Sequence, residues 1–292
     1  MAAGDARPLS APGLILLLGA FCVAGPVSAE EETRENPERR GISNRFTLAL
    51  GAYVVNFDTQ ARLDSSGGEI GTGIDLEDDL NLNRDQIDLR MDGMYRLGRR
   101  SRLDFGYLFL GRDSFNVLDE AIEYGDINFD VGAEVATSFD TQLFRIGYNY
   151  SFVKRPRVAA GFTAGISTFI FDLALFGEGT IDGEEDGAAG DLVLEAQDLI
   201  APVPMLGLHL LYSITPRLAF RATAHAFYLN TDDWVAQLSE FKLALDYYAW
   251  KNVGVGLGYD LVNMSYTDED ATKKFKVSYE YDGLLAYVSF YF

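Results

Sequence analysis

The sequence predicts an all-β fold, an antiparallel up-and-down β-barrel that crosses a membrane with ten strands, eight or twelve being the alternatives. Three observations predict it. Apolar and polar residues alternate with period two through ten segments, as in strands with one lipid-facing and one lumen-facing side. The spacers between those segments are alternately short and long, as in a series of hairpins with tight turns at one end and longer connections at the other. Beyond residue 30 no apolar run approaches the roughly 20 residues of a membrane helix, so any span must be built from strands.

The chain opens on a leader. Gly13 to Gly25, containing Leu14-Ile15-Leu16-Leu17-Leu18, is too short to span a bilayer, and Val27-Ser28-Ala29 supplies small residues at a cleavage point before Glu30. Residues 1–29 therefore read as a secretory signal peptide, although its start is weakly basic, with Arg7 offset by Asp5. Cys22 follows the bulky Phe21, where a lipid-anchored cysteine needs a small neighbour, so it is expected to leave with the leader. The remainder then offers no disulfide and no thiolate metal site. Residues 30–42, with Asn36-Pro37-Glu38-Arg39-Arg40, read as a disordered tail, and 43–292 as the barrel.

Strands are expected near 43–57, 84–97, 101–112, 138–152, 158–171, 200–214, 218–229, 238–249, 253–266 and 276–292. In the clearest, Ile87, Leu89, Met91, Gly93, Tyr95 and Leu97 share one face and Asp88, Arg90, Asp92 and Arg96 the other. After a turn at Gly98-Arg99-Arg100-Ser101, Leu103, Phe105, Tyr107 and Phe109 oppose Arg102, Asp104 and Gly106. Phe144, Ile146 and Tyr148 oppose Arg145; Leu206, Leu208 and Leu210 oppose His209; Phe241, Leu243 and Leu245 oppose Lys242 and Asp246. Val253, Val255 and Leu257 oppose Gly254, Gly256 and Gly258. A soluble acidic β-sandwich would share the mean hydropathy near zero and the 29 glycines, but not this long–short spacing.

The last strand ends Tyr287-Val288-Ser289-Phe290-Tyr291-Phe292, with Leu284, Ala286, Val288, Phe290 and Phe292 on one face. This ending resembles the closing strand of bacterial outer-membrane β-barrel proteins, the OmpA-like small barrels among them. The resemblance implies a porin-like protein of the Gram-negative outer membrane, with residues 30–42 in the periplasm. It further implies that Phe290 and Phe292 form the assembly signal read by the barrel-assembly machinery. Periplasmic chaperones would serve as partners in biogenesis, and outer-membrane lipid and lipopolysaccharide would surround the folded barrel.

Charge sorts along this topology. The four turns carry Arg99, Arg100, Lys154, Arg155, Arg157, Arg217 and Lys251 and no acid. The outer segments 58–83, 113–137, 172–198, 230–237 and 267–275 hold 28 of the 44 acidic residues and only 3 basic ones, so the net charge of -20 belongs to one end. Such a face repels nucleic acid. Asp75-Leu76-Glu77-Asp78-Asp79 and Asp182-Gly183-Glu184-Glu185-Asp186-Gly187 offer oxygen ligands to hard cations, but the second run places Val193 where a calcium loop needs a bidentate Glu. A solvated acidic surface is expected, with no cofactor and at most weak divalent-cation binding shared with lipopolysaccharide phosphates.

Inside, Asp88, Arg90, Asp92, Arg102, Asp104, Arg145, Arg221, His225 and Asp246 are expected to form a lumen charge network, with Arg96, Arg112, Glu240, Lys242 and Asp260 also of inward parity. A narrow barrel holding both signs favours a salt-bridged interior and a structural or surface-interaction role. The alternative is a narrow cation-preferring pore with an acidic mouth. Glycines 254, 256 and 258 would make room for long arginines or for water. The resembled barrels include omptin proteases and lipid A modifying hydrolases, whose chemistry needs a histidine beside a carboxylate or serine. His209 and His225 are the two histidines, and neither sits in an Asp-x-His or His-x-Ser pattern. With Asp246 the spatial neighbour to consider, both are expected to be packing residues and the protein non-enzymatic. Aromatics near strand ends, including Tyr95, Tyr150, Phe152, Tyr212, Tyr228, Tyr247, Trp250 and Phe292, read as interfacial girdles. Tyr124, Phe129 and Trp234 are too few for a carbohydrate-binding surface.

Overall fold

A computed structural model describes residues 44–64, 71–124, 127–181, 191–231, 234–268 and 275–292. The expected leader, its Cys22, the whole of the tail and the Asp182–Gly187 run lie outside the described residues. The strands are β1 (Phe46–Leu63), β2 (Ile74–Asp75), β3 (Asp85–Arg96), β4 (Ser101–Val117), β5 (Ile122–Tyr124), β6 (Ile127–Phe129) and β7 (Glu134–Lys154). They continue as β8 (Val158–Ile181), β9 (Asp191–Thr215), β10 (Leu218–Asn230), β11 (Trp234–Tyr247), β12 (Val253–Asp268) and β13 (Phe275–Tyr291). Ten of them make an antiparallel wall in the order β8-β7-β4-β3-β1-β13-β12-β11-β10-β9, and β8 pairs with β9 to close it. First and last strands meet along their length, from Thr47 opposite Tyr291 to Leu63 opposite Phe275. The short β2, β5 and β6, which pair above the wall's tight-turn end, had no signal in the sequence.

Both described ends of the chain and all four tight turns lie at one end. The main-chain oxygen of Phe292 accepts from the N–H groups of Arg45 and Phe46 at 3.2 and 3.1 Å, and Leu97 and Gly98 donate to Ser101 across the first turn. At this end outward residues are apolar and exposed over spans of about nine to eleven residues, the length a tilted strand needs to cross hydrocarbon. Leu284 and Val288 on β13, Leu257 and Leu261 on β12, and Phe144 and Ile146 on β7 are examples.

Further from the turns the two sides of the wall exchange character. On β13, Lys276 and Glu280 point out and are exposed, while Phe275, Val277, Tyr279 and Tyr281 point in and are buried. The segments 58–83, 113–137 and 172–198, expected as loops, therefore each hold part of the wall, the last of them most: β1 runs to Leu63, β4 to Val117, β8 to Ile181, and β9 begins at Asp191. The 24 residues of β8 would extend about 80 Å at ~3.3 Å per residue, far more than a bilayer crossing takes. The barrel projects well beyond the membrane because period two never stops; only the apolar side moves from the outside to the inside.

The projecting half has a hydrophobic core. Phe57, Phe139, Phe169, Phe171 and Tyr279 are 0–1% exposed, and the rings of Phe139 and Phe171 stack at 5.9 Å with Tyr279 edge-on to both. The segment after β1 folds in over them, burying Ile74, Leu76, Leu80 and Leu82. Each such side chain contributes about 1.5–3 kcal/mol relative to exposure. Phe129 is buried as well, and Trp234 stacks on Tyr266 at 6.0 Å, so neither belongs to an exposed aromatic surface. The β9–β10 ladder ends at Leu206 opposite Ala226, and Pro202 and Pro204 fall just beyond it, where β9 pairs with β8 alone and a missing N–H is tolerated. Glycine 256 makes room for a tyrosine, not the expected arginine: a Cβ there would lie 2.1 Å from the Tyr287 ring.

Phe171→Ala is expected to lower the unfolding free energy by about 3–5 kcal/mol in urea titrations of the folded protein in micelles. Phe176→Ala, on the outer side of the same strand where Phe176 is 44% exposed, should change it by only about 0.5 kcal/mol. Equal losses would contradict an apolar interior in the projecting half.

Candidate functional site

Below the aromatic core the lumen is charged, because strands whose outer face meets lipid carry their polar residues inward. Three clusters cross it. In the first, Arg90 donates to Asp92 (2.9 Å) on its own strand and to Asp260 (2.6 Å) on β12, and Lys242 stands 3.4 Å from Asp260. In the second, Arg145 on β7 reaches Glu240 on β11 at 2.5 Å, and His225 Nδ1 lies 2.8 Å from the other oxygen of that carboxylate. In the third, Arg221 donates twice to Asp246 (2.7 and 3.0 Å), and the Tyr287 hydroxyl accepts from Arg221 while donating to Asp246. Arg90–Asp260 and Arg145–Glu240 join strands that are not neighbours in the wall, so they act as struts across the interior.

Of the residues expected in the network, Arg102 and Asp104 pair with each other at 3.3 Å near the turn end. Asp88 stands apart and takes a bond from Gln86 only. The carboxylate beside His225 is Glu240, its cross-strand partner, and Asp246 is committed to Arg221. Ser151 Oγ lies 3.1 Å from His209 Nε2, a pairing that 58 residues of separation hid; Thr163 rather than a carboxylate faces the other ring nitrogen, at 3.4 Å. Both Ser151 and His209 are buried. Phe290 pairs with Leu48, and Phe292, exposed, packs its ring 5.9 Å from Phe46.

One further ion pair sits in the projecting half. Arg112 and Glu77 bond directly with both side chains buried, Glu77 also accepts from the Thr59 N–H, and the guanidinium lies 4.2 Å from the Phe57 ring centre. Asp58, Asp75 and Glu77 bring carboxylate oxygens within 4.8 Å of one another, yet Glu77 is already held by Arg112 and Asp75 accepts from the N–H groups of Glu77 and Asp78. The acidic run is thus a folded turn whose charges serve the chain itself.

The charged lumen encloses a cavity of about 160 Å³ that continues to the turn end, where Asn44, Ser289 and Tyr291 line it. At its other end Tyr53 and Tyr281 meet edge to face at 6.3 Å and hand over to the Phe57–Tyr279 core. Tyr53, Phe57 and Tyr279 are 0–1% exposed, so the interior is sealed above the charges.

No family model and no curated protein matches the chain. Solved structures do. The outer membrane protease OmpT of Escherichia coli superposes with a TM-score of 0.50 at 12% identity, covering 85% of this chain and 96% of that one. The fold is that of the outer-membrane β-barrels. The attachment invasion locus protein Ail of Yersinia pestis (TM-score 0.29, 9% identity, 85% and 97% covered) and the toluene transporter TbuX of Ralstonia pickettii (0.36, 10%, 89% and 93%) are more distant. Together with the apolar belt, this fold makes the protein a multi-pass β-barrel of the cell outer membrane.

Removing one member of the buried Arg112–Glu77 pair, by Glu77→Leu or by Arg112→Met, should cost about 3–5 kcal/mol, because the survivor is a buried unpaired charge. The double substitution should recover most of that loss. Strictly additive losses in a double-mutant cycle of urea transitions would show that the pair is not coupled.

Proposed function

We propose that this protein is a closed, non-enzymatic outer-membrane barrel, in the manner of the OmpA-like small barrels, whose role is to hold a rigid β-structure outside the membrane for surface contacts. The observation that carries the reading is the apolar seal. Phe57, Phe139, Phe169, Phe171 and Tyr279 close the lumen over the charged layer, and the charges packed against them, Arg112 and Glu77, are spent on each other, so an ion entering there would shed its hydration with little to replace it. The salt-bridged lumen fits a structural role, since every carboxylate in its three clusters is matched by a cation. The outward carboxylates of Asp58, Asp85, Asp113 and Glu280, all exposed just beyond the apolar belt, suit divalent cations shared with lipopolysaccharide phosphates.

A non-enzymatic role is supported by where the histidines lie. His225 with Glu240 sits under the seal, away from the outer surface, and the Ser151–His209 pair is buried with no carboxylate on its far nitrogen.

Planar-bilayer recording of the refolded protein, with heat-shifted gel mobility confirming a folded barrel, should give no stepwise conductance. Reproducible cation-selective steps from folded protein would replace this reading with that of a narrow pore.

A further inference from the structure

We propose that the lipid-facing wall carries a binding site for one anionic phospholipid, with an acyl chain lying in a groove across β1, β13, β12 and β11 and the phosphate held by Arg217 and Lys251. Register builds the groove. One outward row runs Leu89, Ala52, Ala286, Leu257, Leu245 across β3, β1, β13, β12 and β11, each residue opposite the next. The next row toward the turns runs Leu50, Val288, Val255, Tyr247, Leu218 and reaches β10. In the first row Ala52 and Ala286 stop at Cβ, and Leu89 and Leu257 on either side of them are left 81 and 67% exposed. The dent over the two alanines continues along the second row as a groove of about 710 Å³ that ends at Leu245, Tyr247 and Leu218. From β1 to β10 it crosses four strand spacings, about 19 Å at ~4.8 Å each, which suits a long acyl chain laid out straight.

Both rows belong to the apolar belt, so hydrocarbon is what meets them. Burying apolar surface there gains nothing over leaving it in lipid; what favours one seated chain is close contact on its floor and both sides, where a chain lying against a convex wall has contact on one side only.

The closed end of the groove supplies the polar half of the site. Leu218 directly follows Arg217, and Tyr247 directly precedes the turn that carries Trp250 and Lys251. The Tyr248 N–H donates to the Arg217 carbonyl at 2.8 Å, which ties the two turns together at that point. Arg217, Trp250 and Lys251 are all exposed. Two cations at the border of the belt meet a phosphate where a glycerophospholipid carries it, and the Trp250 ring is of the kind that sits at headgroup level. None of the four turns holds an acid, so the amine of a zwitterionic lipid finds no counter-charge there and a lipid of net negative charge is preferred.

The test titrates the refolded, lipid-free protein in non-ionic micelles with phosphatidylglycerol and, separately, with phosphatidylcholine of the same chains, counting lipid adducts by native mass spectrometry. One phosphatidylglycerol should bind ahead of any second, about tenfold more tightly than phosphatidylcholine. Ala52→Phe and Ala286→Phe, which fill the floor without altering charge, should each weaken both lipids about fivefold or more. Ala224→Phe, exposed on the lipid face of β10 outside the groove, should leave binding as it was. Arg217→Gln with Lys251→Gln should erase the preference for phosphatidylglycerol and spare phosphatidylcholine, whereas Arg99→Gln with Arg100→Gln in the first turn should leave the preference intact. Every variant is first checked for heat-shifted mobility. Lipids adding without a preferred first one, equal affinity for the two headgroups, or binding that survives both alanine changes would overturn the site. So would loss of the preference on changing Arg99 and Arg100, since the whole rim would then be acting. A lipid-free species of twice the mass that Ala286→Phe dissolves would also overturn it, by putting a second copy in the groove. None of these outcomes bears on the conductance experiment, because the groove lies outside the barrel.

Discussion

Everything in this molecule depends on the hydrogen-bonded union of β1 with β13. Hydrocarbon offers no partner for a backbone N–H or C=O, so a wall of strands is stable there only if its first and last members pair. The ladder from Thr47–Tyr291 to Leu63–Phe275 supplies that closure and carries it past the membrane into the projecting half. Closure also fixes parity. Once Leu284 faces lipid, Tyr281 must face the interior, and residues more than two hundred positions apart in the chain are committed to the same lumen.

Parity explains why the interior has two layers. Along one strand the side chains keep alternating while the medium outside changes from lipid to water. In lipid the outer residues must be apolar, so polar ones collect inside and neutralise each other, as Arg145 and Glu240 do. In water the requirement reverses, and Phe275, Val277 and Tyr279 move in while Lys276 and Glu280 stay out. The result is a soluble-type barrel core stacked on a membrane-type lumen within one wall.

The ten-strand count and the turn ends were legible because lipid imposes a strong, one-sided pattern: the expected 84–97 is Asp85–Arg96, and 158–171 begins where β8 begins. The outer ends were not, because the exchange of sides looks like a loss of pattern when apolar residues are followed on one face only. Beyond Phe57 the apolar set passes through Ala61 and Leu63 on the inner face, and Asp58 and Gln60 on the outer face read as loop. Inward charges were legible from parity, but their partners needed register. His225 meets Glu240 because β10 and β11 pair in the register that sets Asn230 opposite Val235, and no spacing rule for catalytic histidines encodes that. Glu77–Arg112 was out of reach, since it depends on a segment folding back into the barrel.

The two layers also set each other's limits. Near the mouth, Arg221, Asp104 and Asp92 keep 43, 35 and 34% of their side-chain surface, so water shares in stabilising them. Toward the seal this help disappears: Asp260 is 2% and Glu240 0% exposed, and each is held by two cationic or potentially cationic groups. An apolar stopper directly above unpaired charge would carry the full desolvation penalty of a buried ion. Arg90 eases the transition, with Asp92 and Asp260 on its guanidinium and the Tyr53 ring 5.4 Å away, so that this charged cluster already rests on an aromatic ring. The three clusters beneath the seal balance their charges among themselves, and the groups nearest the turn end keep their contact with water.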